Sequence, residues 1–383
     1  MVKWVMIGLA VRPGRAALRA ARGARPGEPD VRRARRRPLP PQMPTWSPMR
    51  RRDADRYIRH AVVTPKPPEA LTETDRQWEA WLARWSLPLR AVDDSHLHAF
   101  LETVRTTALD GTRRTLAPSS IGNIRTIVRS AFKAAYKRRL IDWDPWEAVE
   151  WSAPRDVEQV DADVVMDPAQ IMAMAKACGA RHRGYECFVL VQGFCALRPS
   201  EARELRRRDF DLDARPATVT TCGNYTDVSD RYLDEGESRE RPLEGRGAKA
   251  RRTVPVPDLL VPRLRAHLDD LVPDRPDALV FTTSKGIRIH LSNFHRSVWG
   301  PAREALFDEA SPLRRVRRHD LRHAAITTWL NSGVLPKTAQ QWSGHRRLSV
   351  LLDTYVGVMR DDAATSLARV EGALHRALDV TGS

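Results

Sequence analysis

The stretch RRHDLRHAAITTWL, residues 317–330, places His319 and Arg322 three residues apart. SGH (343–345) adds His345, 23 residues beyond Arg322, and LLDTYVG (351–357) adds Tyr355 ten residues later. Upstream, CALRPSEARELRRRDFD (195–211) supplies Arg198. One tyrosine, two arginines and two histidines in this order are suited to meet around a single phosphate.

The residue types fit phosphoryl transfer. Negative charge must be held on the non-bridging oxygens as phosphorus becomes five-coordinate. Arginine does this best, because its planar fork binds two oxygens and keeps its proton. A tyrosine hydroxyl, with an ordinary pKa of about 10, attacks only where a cationic site or a base favours its phenolate. Histidine hydrogen-bonds the phosphate or moves a proton near neutrality. The leaving oxygen needs an acid, commonly a lysine. Taken singly, each residue has a plainer explanation: His345 as a buried or capping histidine, Tyr355 as a core residue, Arg198 as a helix start. The ordered set carries the weight.

The chain has 383 residues and a net charge of +16, enough for two domains and a tail, and a charge that suits a polyanionic partner. The excess is concentrated, however: residues 1–52 hold fourteen Lys/Arg against two acids. This Arg/Ala/Pro-rich segment lacks aliphatic periodicity and is expected to be disordered, either as a DNA-gripping arm or as a plain tail or upstream sequence read from an early start codon. The opening MVKWVMIGLAV is too short for a membrane span and lacks a small-residue cleavage site. Cys178, Cys187, Cys195 and Cys222 show no C-x-x-C spacing, so a reducing cytoplasm with no disulfide framework and no metal site is expected.

Residues 53–155 read as a helical domain. Thr72 and Asp75 resemble a cap ahead of Trp78, Trp81, Leu82 and Trp85, and Pro88 ends that element. A second helix starts after Asp93 or Asp94 with Leu97, Phe100, Leu101 and Val104 on one face. A third starts near Pro118–Ser119 and carries the stripe Ile121, Ile124, Val128, Ala131, Phe132 and Ala135, with Pro145 as its breaker. Arg125, Arg129, Lys133 and Lys137 lie off that stripe at intervals of four, either a ridge that tracks a phosphate backbone or an ordinary solvated face.

A polar linker near 153–165 leads to a mixed domain over 160–383. Asp167 and Pro168 open a helix there, and Glu186–Leu197 reads as a buried one. β-like pieces fall at Ala217–Thr221, Thr253–Pro257 and Leu279–Thr283, with Gly223–Gly247 as a long hairpin connection. Ser292 is expected to cap a helix carrying Phe294, Val298 and Trp299. The whole predicts a mainly α fold with a small antiparallel β-sheet.

The four blocks resemble those of the tyrosine recombinases, the phage integrase family. CALRPSEARELRRRDFD is similar to the block of the first catalytic arginine, Arg198, with Glu201 in the supporting acidic position. HDLRHAAITTWL resembles the His-x-x-Arg block, SGH the Leu-Gly-His block with Ser343 in place of leucine, and LLDTYVG the nucleophile block. SSIGNIRTIVRSAFKAAYKRRLIDWDP resembles the end of the family's core-binding domain. GRGAKARRTVPVP (245–257) is similar to the hairpin that carries the catalytic lysine, which gives Lys249, with Arg246 as its rival because spacing from Pro255 favours 246 or 247.

The resemblance implies a SAM-like helical domain and an α+β catalytic domain that close on DNA as a C-shaped clamp. Four protomers would assemble on two DNA sites, with an accessory bending or excisionase protein as a further partner. Tyr355 would attack a DNA phosphate to leave a 3′-phosphotyrosyl link and a free 5′ hydroxyl, with no cofactor, ATP or divalent ion. A stripe of Leu367, Val370, Leu374 and Leu378 would dock on a neighbouring protomer or on its own domain. The expectation is an integrase of a phage or mobile element. A chromosome-dimer resolvase, a type IB-like topoisomerase and a catalytically impaired DNA-binding relative are the alternatives.

Overall fold

The computed structural model describes residues 47–57, 89–106, 116–150, 159–235, 237–243 and 250–359, with parts of 364–375. The chain divides into two compact units, one made of Met1–Asp156 with Val228–Ser238, the other of Val157–Asp227 with Arg239–Ser383.

The first unit is helical: α1 Pro48–Tyr57, α2 Asp94–Thr106 and α3 Pro118–Lys137. In α2 the Asp93 carboxylate accepts from the His96 N–H at 3.0 Å and so starts the helix, and Leu97, Phe100, Leu101 and Val104 are buried. In α3 Pro118 occupies the first turn, where its missing N–H costs nothing. Its stripe of Ile121, Ile124, Val128, Phe132 and Ala135 closes on α2 and on buried Trp146. The helix stops at Lys137, ahead of the breaker expected at Pro145, because Arg139 turns the chain with a left-handed φ of 56°. Residues 48–52, placed above in the basic extension, belong to α1. Arg51 is buried there, donating to Asp234 at 2.8 Å, to Glu237 at 3.0 Å and to the Tyr232 carbonyl at 2.9 Å. The helix expected over Thr72–Trp85 and the basic residues 1–46 lie outside the described residues.

In the second unit α4 (Pro168–Gly179) begins at a capping box between Asp167 and Gln170, and α5 (Gly184–Cys195) is apolar on nearly every face. Because α5 is enclosed, α4, α7 (Val261–Leu271) and α10 (Asp320–Asn331) all pack on it. Gly193 permits the closest approach: a Cβ there would stand 2.5 Å from Ile171 Cγ2 and 3.3 Å from Leu321 Cδ2.

The short helix α6 (Pro199–Ala202) follows, then a three-stranded antiparallel sheet in the order β1 (Phe210–Asp211), β2 (Thr218–Thr221), β5 (Arg252–Pro255), with Val219 opposite Val254. Between β2 and β5 the hairpin β3 (Gly223–Tyr225) and β4 (Glu240–Pro242) carries the segment Val228–Ser238 that belongs with the helical unit.

Two expected elements differ. Leu279–Thr283 forms isolated bridges rather than a strand: the Val280 N–H donates to the Leu205 carbonyl and the Ala278 carbonyl accepts from Arg207, so this irregular run is tied to a loop. The helix at 291 starts one residue before Ser292, and Asp227 accepts from the Leu291 N–H at 3.0 Å, which makes a serine cap unnecessary. There α8 (Leu291–Phe294) and α9 (Gly300–Leu306) flank a π turn at His295–Trp299. The chain then runs through α10 to α11 (Pro336–Ser343) and α12 (Leu348–Tyr355).

Candidate active site

Three loops and three helix ends of the second unit meet at one point. α5 ends at Ala196, whose left-handed φ of 50° costs a non-glycine residue roughly 1–2 kcal/mol. Arg198 follows in extended conformation, and α6 swings the Glu201 carboxylate back onto it, 2.9 Å from its backbone N–H and 2.9 Å from its guanidinium. Arg252, at the start of β5, donates to the same carboxylate and to the Trp342 carbonyl. Burial opposes the Glu201 charge, but Arg252, Arg198 and Arg322 outweigh it and hold the carboxyl below the usual range. Removing a partner from such a buried cluster costs about 3–5 kcal/mol, so Glu201 fixes the position of two arginines.

His319 stands at the N-cap of α10, with Arg322 and His323 three and four residues on, hence on one face. The opposite face, Leu321, Ala324 and Ala325, is buried. The Arg322 fork is held by the Ala196 carbonyl at 2.6 Å and the Ser343 carbonyl at 2.5 Å. Burial and Arg198 bring its pKa down to about 9, so it remains a cation at neutral pH. α11 ends at Gly344 in the left-handed region (φ 76°), where glycine has no Cβ to clash, and this turns His345 inward. Ser343 Oγ lies 2.7 Å from His345 Nδ1. Burial, reinforced by Arg322, holds His345 neutral down to about 3. His319 is likewise neutral down to about 4, from desolvation and the neighbouring His323, although much of its surface faces solvent.

Tyr355 is the last residue of α12, its ring fully buried in a small core with Ala196, Ala325, Ile326, Leu330, Ala339 and Leu351. Its hydroxyl is 2.9 Å from His323 Nδ1, and the His345 ring lies 6.1 Å away, centroid to centroid. Burial raises the tyrosine pKa above its ordinary value while Arg322 and Arg198 pull it back. Three guanidinium groups around one carboxylate leave net positive charge beside a phenol. That arrangement suits an oxyanion with several oxygens, of which phosphate is the natural example.

A family model described as the phage integrase family matches residues 165–361, a span that contains every residue of this cluster. The chain belongs to the phage integrase family. Family membership carries site-specific recombinase activity on DNA. A Mycobacterium tuberculosis protein named for the prophage phiRv2 integrase is 25% identical over 316 residues, 78% of each chain. The integrase of Mycobacterium phage FRAT1 is 25% identical over 232 residues, covering 60% of this chain and 62% of that protein. Among solved structures, the Tn1549 transposon integrase in complex with a circular intermediate DNA superposes with a TM-score of 0.54 at 16% identity, over 83% of this chain and 97% of that one. The fold is therefore that of this integrase, mainly helical with small antiparallel sheets.

Arg198, Glu201, His319, Arg322, His345 and Tyr355 stand together in the second unit. Lys249 and its rival Arg246 lie outside the described residues. Arg129, Lys133 and Lys137 are exposed on α3, whereas Arg125 is half-buried with its guanidinium 5.4 Å from the Trp146 ring centroid. The motifs did not single out Arg252, Ser343 or His323. Ser343 stood out only as a departure from leucine, Arg252 is hidden in a basic run, and His323 adjoins Arg322 without belonging to the His-x-x-Arg pair.

Proposed function

We propose that the chain cuts and rejoins duplex DNA for a phage or other mobile element, with Tyr355 as nucleophile. Arg198 and Arg322 clamp the non-bridging oxygens of one phosphate, the first held by Glu201 and the second by the Ala196 and Ser343 carbonyls. His345 and His319, both neutral at pH 7, donate N–H hydrogen bonds to the same oxygens without adding charge. The phenol oxygen attacks phosphorus, a 3′-phosphotyrosyl bond replaces the backbone bond, and the 5′ oxygen leaves as a hydroxyl. A 5′ hydroxyl from a second duplex reverses the step, and the covalent link conserves the bond energy. Lys249, the lysine that the family resemblance assigns, serves as acid to the leaving oxygen.

The observation that carries this reading is the meeting of the buried Tyr355 with the charges of Arg322 and Arg198. The relatives named for phage and prophage integrases favour the mobile-element role over a chromosomal one. Recombination between two duplexes calls for self-assembly on DNA, and Leu367, Val370 and Leu374 offer an exposed apolar stripe for it, each more than half exposed.

The test uses a pool of nicked duplexes randomised on both sides of the nick, so that cleavage next to the nick frees a short fragment and traps the protein on DNA. The wild-type chain is expected to form an SDS-resistant adduct on a fraction that enriches over rounds. Tyr355→Phe should lose the adduct completely while binding the enriched duplex within a few-fold of wild type. An adduct that persists in Tyr355→Phe excludes this nucleophile.

A further inference from the structure

We infer that His323 is the base that takes the proton from Tyr355 when its oxygen attacks phosphorus, an assignment that rests on the function proposed above. Two imidazoles, His323 and His345, stand against the tyrosine ring, and among the described residues His323 is the one hydrogen-bonded to its hydroxyl, at 2.9 Å through Nδ1. His319 stands behind it, edge-on at 5.0 Å between ring centroids, and His345 is turned towards Ser343. The contact follows from the fold: His323 lies one helical turn past His319 on α10, and Tyr355 closes α12, so two helix ends bring base and nucleophile together.

Chemistry requires such a group. The burial that raises the pKa of Tyr355 leaves almost no phenolate at neutral pH, so the proton must go as the P–O bond forms. A cavity of about 470 Å³ is lined by His323 with His319, Asp320, Arg315, Arg317 and Asp161. Water there gives a proton held on the His323 ring a way out that does not cross the phosphate. Among the described residues, Tyr355 and His345 also stand close to the His323 ring.

The step balances as follows. Tyr355 Oη bonds to phosphorus as its proton passes to Nδ1 of a His323 ring protonated at Nε2. The bond from phosphorus to the 5′ oxygen breaks, and that oxygen takes its proton from the lysine acid of the proposed function, Lys249, which is left neutral. On return the 5′ hydroxyl gives its proton back to that lysine as it attacks, the P–Oη bond breaks and the imidazolium gives its proton back to Oη.

The test measures single-turnover adduct formation on the enriched nicked duplex, with binding followed in parallel. General-base catalysis contributes about 10²–10⁴-fold, so His323→Ala is expected to be slowed at least about 100-fold with DNA binding intact. Imidazole added to the buffer should restore the rate in proportion to its free base. His323→Gln, which keeps a polar group near Oη but cannot accept a proton, should stay slow. A wild-type rate in either variant, or a slow His323→Ala that imidazole leaves slow, overturns the assignment. Absence of an adduct with the wild-type chain removes the recombinase reading itself and this inference with it, whereas a wild-type adduct combined with unaffected variants removes only the role of His323.

Discussion

His345 and His319 are kept neutral by the same surroundings that make the site fit for a phosphate. Their pKa values, about 3 and about 4, lie below the ordinary histidine value near 6.5, which the unfolded chain recovers. The unfolded state therefore binds more protons between these limits, and stability rises with pH across them. The contribution is complete above about pH 6.5 and drains away as pH falls towards 4 and then 3. A pH series of thermal melts should show Tm falling over that range, each kcal/mol lost lowering it by roughly 2–4 °C. In His345→Gln the fall should be shallower between pH 6.5 and 4, and an unchanged slope would mean that this ring is not the one kept neutral. Residues of this kind were legible in the sequence because few side chains can do the chemistry. Arg252 and His323 were not, since their roles depend on partners far along the chain: Glu201, 51 residues away, and Tyr355, 32 residues away.

At the level of elements, the site depends on how tightly α5 holds α4 and α10, because Ala196 and Arg322 sit on the ends and faces of that stack. Gly193 is the point of closest approach. Gly193→Ala would gain up to about 1 kcal/mol of helix propensity, but overpacking against the buried Ile171 costs about 1–3 kcal/mol. The expected net result is a loss of stability, read as a lower urea midpoint with an unchanged slope. In an Ile171→Ala background, which removes the crowding Cγ2, the added cost of Gly193→Ala should be smaller than in the wild-type chain. The helices α2, α3 and α5 were legible because apolar periodicity states which face is buried. The run at Leu279–Thr283 was not, because Val280 and Phe281 are both buried, and such a run has strand-like composition whether or not it pairs. The capping of α8 was equally hidden, since Asp227 reaches it from 64 residues upstream.

Across the whole molecule, the division into two units does not follow chain order. The segment Val228–Ser238 leaves the second unit between β3 and β4 and groups with the helical one, where Asp234 and Glu237 close on Arg51. Composition gave no sign of this, because a charged loop looks the same with or without a partner 183 residues away. Arg51→Ala should loosen this attachment: amide exchange within 228–238 is expected to rise roughly tenfold, the equivalent of about 1.4 kcal/mol, while the α4–α5 core keeps its protection. Equal protection in both proteins would show that Arg51 does not hold the segment. The last consequence concerns Tyr355, whose surface is wholly covered in the free chain. Were Tyr355 the nucleophile proposed above, a group sheathed in this way would be shielded from free nucleotides and inorganic phosphate as long as the chain keeps this arrangement. Cover of that kind would act as a scabbard, sparing small phosphates from a reaction meant for a polymer.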